Sequence, residues 1–219
     1  MSDQRFRDRR DAGQRLAAEL ERYAGRPDVV VLALPRGGVP VGFEVARRLG
    51  APLDVFLVRK LGVPGHAELA MGAIASGSVR VLNPDVVGPL GISYDVIEDV
   101  ATREAHELER RERAYRGDRP PLDVTDRIVI VVDDGLATGA SMRAAVAALR
   151  RRGPRRIVVA VPTGAPDVCD ALRRDADEVV CAVLHEPFLS VGLWYDDFSQ
   201  TTDEEVRSLL AGAPAHEAA

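Results

Sequence analysis

The chain has 219 residues, 46% hydrophobic and 29% charged, with a formal net charge of −5. That length holds one α/β domain with an insertion or two small domains. The acidic balance excludes a global basic field that would recruit nucleic acid or an anionic membrane. Basic charge is nearly all arginine: Lys60 is the single lysine among 29 basic residues, which reads as codon bias and makes that one ε-amine distinctive. Two cysteines, Cys169 and Cys181, show neither a CxxC spacing nor a disulfide framework, which points to a reducing compartment. The N-terminal MSDQRFRDRRDAGQRL lacks the apolar core of a signal peptide, and Val29 to Pro35 is too short to span a bilayer. A cytoplasmic protein with no membrane partner is expected.

In chain order, Asp3 to Tyr23 reads as an amphipathic helix with Phe6, Leu16, Leu20 and Tyr23 on one side. VVVLAL (29–34) is a buried strand, GVPVGFEVARRLG a turn into a helix, and LDVFLV (53–58) the next strand. Strand, helix, strand in this order is a βαβ unit and implies a parallel sheet. GVPGHAELAMGAIASG (62–77) reads as a glycine-rich loop followed by a short strand, and VRVLN (79–83) as another strand. Ser93 to Arg116 is a long, charge-dense helix followed by the breaker GDRPPLD. Alternation then resumes: strand 127–132, helix 139–152, strand 156–161, helix 166–174, strand 178–184. Thr202 to Glu205 has capping-box spacing and opens a last helix. The expected organisation is an α/β domain from residues 1–83 and 126–210, a helical insertion at 84–125 and a disordered tail at 211–219.

The chemistry concentrates in RIVIVVDDGLATGASM (127–142). A β-branched strand ends on Asp133 and Asp134, the position where open parallel sheets bind ligands. The loop behind it, through Ala137, Thr138, Gly139, Ala140 and Ser141, has little bulk, two hydroxyls and amides leading into a helix N-terminus, which suits a phosphate. It has no Walker lysine, and no GxGxxG follows the first strand. Acids beside a phosphate would repel it unless they address another part of the ligand, and a sugar diol suits them. A phosphorylated sugar is the expected ligand.

At these residues the chain resembles the type I phosphoribosyltransferases: IVIVVDDGLATGAS is similar to their phosphoribosyl-pyrophosphate (PRPP) motif, and most of all to the adenine and uracil members. The resemblance implies an open, mostly parallel sheet flanked by helices, with a small C-terminal hood. LPRGGVPVG (34–42) falls where the family's pyrophosphate loop falls, so Arg36, Gly37 and Gly38 are expected to hold pyrophosphate. VRKLGVPGHAELAMG (58–72) resembles the R-K-x-G-x-x-P-G stretch of the adenine enzymes, which implies that Arg59 and Lys60 touch pyrophosphate and that the following loop closes over the reaction. Phe188, Trp194, Tyr195 and Phe198 crowd into HEPFLSVGLWYDDFSQTTDEE (185–205). Phe188 and Phe198 read as core; Trp194 and Tyr195 are expected to face a base. VGLWYDDF is loosely similar to the V-G-x-x-x-D hood of the hypoxanthine-guanine enzymes, and there Asp196 matches an aspartate that helps hold magnesium. One departure stands: the fifth motif position, an Asp in the 6-oxopurine enzymes, is Ala137 here, which argues against a hypoxanthine or guanine mechanism.

The resemblance covers roughly residues 28–78 and 127–200. It implies transfer of the 5-phosphoribosyl group from PRPP, with Mg²⁺, to a nitrogen nucleophile, with a nucleobase or another amine as acceptor. Asp133 and Asp134 would bind the ribose hydroxyls, and Ala137 to Ser141 the 5′-phosphate. A homodimer is compatible with the pattern. The alternative reading is a PRPP sensor that turns nothing over and regulates a nucleic-acid or protein partner through the arginine-rich insertion.

Overall fold

The computed structural model describes residues 5–117 and 119–214 of the chain. Its elements in order are α1 (Arg9–Glu19), β1 (Val29–Ala33), α2 (Gly38–Leu49), β2 (Leu53–Val55), β3 (Val58–Val63), β4 (His66–Ala75), β5 (Val79–Leu82), α3 (Pro84–Val87) and α4 (Tyr94–Arg116). They continue with β6 (Ile128–Val132), α5 (Ala140–Arg150), β7 (Arg156–Gly164), α6 (Pro166–Leu172), β8 (Glu178–Leu184) and α7 (Asp203–Gly212).

Five strands form a parallel sheet in the order β2-β1-β6-β7-β8. The expected open parallel α/β sheet is therefore present. Strand alternation divides its two faces. Val29, Val31, Ala33, Ile128, Ile130 and Val132 pack into the core beneath α1, α2, α4 and α7. Val30, Leu32, Val129 and Val131 face the core beneath α5 and α6. Every residue of β1 and β6 is buried, as fits strands in the middle of a sheet covered on both faces.

Several boundaries differ from the sequence reading. The first helix begins at Arg9, capped by Asp8, whose side chain accepts from the Asp11 amide at 2.7 Å. Residues 5–8 run outside the helix, and Phe6 makes a parallel bridge to Tyr195; Asp3 and Gln4 lie outside the described residues. LDVFLV is not one strand. The Phe56 amide still donates to Ala33 of the parallel sheet, but Leu57 donates to the Ser76 hydroxyl, and the chain passes into a second sheet. That sheet is antiparallel, in the order β3-β4-β5, and its first two strands turn at Pro64 and Gly65. Residues 62–72, read as a loop, are mostly a hairpin. Gly65 sits at φ +80°, where a side chain would be strained.

The segment expected as an insertion is tied into the core. Ser93 caps α4, and Ile97, Val100, Ala101 and Leu108 bury its apolar stripe. At its C-terminus Arg116 is buried against Asp54 of β2, with Nε 3.0 Å from Oδ2, and its NH2 donates to the Val55 carbonyl at 3.3 Å. Thr202 caps α7 through the Glu205 amide at 3.1 Å. This helix reaches Gly212, so the expected tail begins no earlier than Ala213, and residues 215–219 lie outside the described residues. No helix among the described residues is long and apolar enough to cross a membrane.

Candidate active site

The carboxyl ends of β1 and β6 lie side by side in register, Ala33 opposite Val132. The turn after β1 is drawn onto the acid pair by the Leu34 amide, which donates to the Val132 carbonyl at 2.9 Å. Glycine makes that approach possible. A Cβ on Gly37 would collide with the Asp134 carboxylate, and one on Gly38 would lie 2.8 Å from the Val132 carbonyl oxygen and 3.0 Å from Asp133 Cα. The Pro35–Arg36 peptide within this turn is cis. The Pro-Arg-Gly-Gly turn and the acid pair, far apart in sequence, thus form one surface.

The two carboxylates are not equivalent. Asp134 accepts from Arg9 Nε at 2.8 Å, with both side chains largely buried. Asp133 forms no ion pair among the described residues, and its Oδ1 accepts from the Asp134 amide at 2.9 Å. Burial and the neighbouring Asp134 charge push the Asp133 carboxyl well above the usual carboxylate range. Burial raises Asp134 too, but the Arg9 guanidinium pulls against it. Asp133 is therefore a carboxylate short of a positive partner.

Beyond the pair, the loop dips and returns. Leu136 is buried and its amide donates to the Thr163 carbonyl at 2.9 Å, which leaves Ala137 and Thr138 exposed at the crest. The amides of Ala137, Thr138 and Gly139 make no hydrogen bond among the described residues, and the Ala140 amide has only the Thr138 hydroxyl at 3.4 Å. Gly139 enters α5 at φ +68°. A Cβ there would lie 2.8 Å from Val168 Cγ1, so both conformation and space require glycine. The result is a row of amides without backbone partners among the described residues, exposed at Ala137 and Thr138, at the positive end of a helix, an arrangement that favours an anion.

Ser141 and Asp133 line a narrow cleft of about 110 Å³ together with Pro35, Arg59, Arg111 and Tyr115. Three of these the sequence reading placed at the ligand; Arg111 and Tyr115 it missed, and both come from α4. Arg9 was missed as well. Arg36, beside the cleft, has its NH1 3.7 Å from Asp203 Oδ1, the carboxylate that also accepts from the Tyr115 hydroxyl at 2.9 Å. Arg59 pairs with Glu104 of α4. A lone aromatic near the end of a charge-dense helix was the one signal for Tyr115; nothing in the local pattern marks Arg9 or Arg111.

Three expectations need correction. Lys60 is absent from this cleft, because β3 turns successive side chains to opposite faces and Arg59 takes the cleft side. Tyr195 is turned into the interior. The residue is 2% exposed, its ring packed on Phe6 and Phe198, and its hydroxyl donates to the Asp134 carbonyl at 2.6 Å. The Phe6 bridge that turns Tyr195 inward turns Asp196 outward, where its carboxylate pairs with Arg5 at 3.3 Å. Trp194 is stacked on His185, with ring planes 3° apart, so one face of its indole is already covered. Among the described residues no cluster of three or more His, Cys, Asp or Glu is arranged to hold a metal ion.

The chain is similar to known proteins. The profile of the Phosphoribosyl transferase domain family matches residues 7–190, from α1 through the acid pair to the start of the hood. A Mycobacterium tuberculosis protein provisionally named a phosphoribosyl transferase is 48% identical over 205 residues, covering 94% of this chain and 46% of that protein. The chain thus spans about half the length of this relative. The uracil phosphoribosyltransferase of Lactobacillus delbrueckii subsp. bulgaricus is 35% identical over 173 residues, 74% of this chain and 78% of that enzyme. The crystal structure of TT1426 from Thermus thermophilus superposes with a TM-score of 0.84 at 46% identity, covering 94% of this chain and 97% of the other. With the match running through the strand end, the glycine turn and the amide row alike, the chain belongs to the phosphoribosyl transferase domain family.

Proposed function

We propose that the chain transfers the 5-phosphoribosyl group of PRPP to a nitrogen nucleophile and releases pyrophosphate. The observation that carries this reading is the meeting, at one strand end, of an unneutralised carboxylate with a row of open amides. The amides and hydroxyls of Ala137 to Ser141 take the 5′-phosphate. Asp133 and Asp134 accept hydrogen bonds from the ribose hydroxyls. As the bond from C1 to pyrophosphate lengthens, positive charge grows on the ribosyl ring, and Asp133, short of a cationic partner, stabilises it. Asp134 is oriented by Arg9 and contributes less charge.

Arg36, Gly37 and Gly38 line the departing pyrophosphate with Arg59, and Arg111 joins them from α4. The pyrophosphate assignment of Lys60 is dropped, since that side chain lies on the other face of β3. A Mg²⁺ carried in on the pyrophosphate fits this donor set, because the ion takes oxygen ligands from substrate phosphates and one or two carboxylates rather than from a protein cage. Asp133 is the carboxylate that would face it, and the ion's part is to neutralise pyrophosphate charge.

The acceptor side is the end of β7 and β8 with the segment carrying Trp194. Uracil heads the acceptors to test, because a uracil enzyme is among the relatives. The test is release of pyrophosphate from PRPP and Mg²⁺ across uracil, adenine, hypoxanthine, guanine and simple amines. Turnover with one of them, abolished in Asp133→Asn with Asp134→Asn, is the expected result. Tight PRPP binding with no pyrophosphate from any acceptor would sink the enzyme reading and leave a PRPP sensor.

A further inference from the structure

The chain has 29 lysine and arginine side chains, all within the described residues. Twenty-six of them make an ion pair or donate to a backbone or side-chain acceptor there, as Arg103 does to the Asp99 carbonyl and Arg152 to the Leu122 carbonyl. The three with neither among the described residues are Lys60, Arg143 and Arg174. They come from three separate places in the chain: β3, α5 and the turn after α6. All three line one groove. Cations scattered over a surface would not converge in this way. The groove lies between the antiparallel sheet and α5 and holds about 560 Å³.

Its lining is largely apolar. Ala73 and Val81 face it from the sheet and Ala144 from the helix. The small apolar side chains of sheet and helix suit a planar ring, and the three cations, without a partner among the described residues, suit phosphate oxygens. The lining carries one acid, Asp175, against these three cations. Groove and active-site cleft lie on two sides of the start of α5: Ala140 lines the groove and Ser141 the cleft. We infer that this groove is a second binding site, separate from the acid pair, and that its ligand is a nucleoside phosphate with the base on the apolar lining and the phosphates on Lys60, Arg143 and Arg174.

The probes are the four common 2′,3′-dideoxynucleoside triphosphates in EDTA. They carry base and phosphates but lack the diol that Asp133 and Asp134 would hold and the metal that PRPP would bring. Isothermal titration against the full chain is expected to show one saturable site for at least one of the four. Arg143→Glu with Arg174→Glu should weaken it at least tenfold, and the milder Arg143→Gln with Arg174→Gln severalfold. Asp133→Asn with Asp134→Asn should leave it within twofold. Because Lys60 carries the only ε-amine, an amine-reactive reagent read by mass spectrometry should label it more slowly in the presence of the bound nucleotide. No saturable binding by any of the four at about 1 mM or below overturns the inference. Loss of binding in the acid-pair variant with retention in the cation variants overturns it too. So does a dimer in sedimentation that the cation variants dissociate while no nucleotide binds, which would make the groove a self-interface.

Discussion

At the scale of single residues, the acid pair shows how a ligand site is set against stability. Asp133 is held above the ordinary carboxylate range by burial and by Asp134. An acid whose pKa is higher folded than unfolded binds more protons in the native state. Stability therefore declines as pH rises from the ordinary carboxylate value towards the raised one. Asp133→Asn removes this penalty and keeps the acceptor for the Asp134 amide. We expect its thermal midpoint to exceed wild type by about 2–4 °C for each kcal/mol regained at neutral pH, with the difference shrinking as pH falls towards 4. Calorimetry across pH 4 to 8 checks this, and a destabilised Asp133→Asn would mean that the carboxylate is already satisfied in the native state. Tyr195→Phe should have the opposite sign. It removes the hydroxyl that donates to the Asp134 carbonyl at 2.6 Å, a bond contributing about 0.5–1.5 kcal/mol. Two residues bound to the same loop thus pull apart in denaturant melts: one variant gains stability and loses ligand, the other only loses stability.

At the scale of elements, helix α4 is where the sequence was least informative. Its length follows from composition, but its place does not, because a thin apolar stripe among charges does not say which surface it meets. The structure lays it across β3, β2 and α7, so that Tyr115 and Arg111 reach the cleft while Arg116 goes under the sheet edge to Asp54. That ion pair is the anchor. Both side chains are less than a tenth exposed, and Asp54 is further satisfied by the Val55 amide at 2.8 Å and the Leu122 amide at 3.3 Å. Arg116→Met would strand the Asp54 charge in the interior and cost about 3–5 kcal/mol. Asp54→Asn combined with Arg116→Met removes the stranded Asp54 charge, leaving only Glu112 without its 3.7 Å partner, and should recover much of that loss. Urea melts of the two single variants and the double decide the matter; additive losses would show that the pair is not coupled. A similar limit explains LDVFLV, whose continuous apolar run is equally compatible with one strand or with two strands in different sheets.

At the scale of the whole molecule, the parallel sheet and the acid pair were legible in the sequence because both depend on local pattern: β-branched runs, glycine spacing and acids at a strand end. Arg9 and the groove cations were not legible, since their roles arise only when α1, α4, α5 and β3 are assembled. The assembly also sets two sheets of unlike stability side by side. In β1 and β6 every residue is buried, and β7 is buried from Ile157 to Gly164. In β3 only Leu61 is buried, and no residue of β5 is. Amide exchange under native conditions should follow this division. The amides of Val129 to Val131 are expected to exchange only through global unfolding, whereas those of β3 and β5 exchange through local opening at lower free energy. The β3–β4 hairpin carries Arg59 into the cleft and holds Lys60 on the groove beside it, so it is also the element that a ligand in either place would steady. Addition of PRPP with Mg²⁺ should slow exchange across residues 58–75 and leave β1 and β6 unchanged. A dideoxynucleotide should slow the same strands without protecting the 134–139 loop. Protection by PRPP of the 134–139 loop alone, with the hairpin unaffected, would show that Arg59 takes no part in holding the substrate and that the hairpin is no lid.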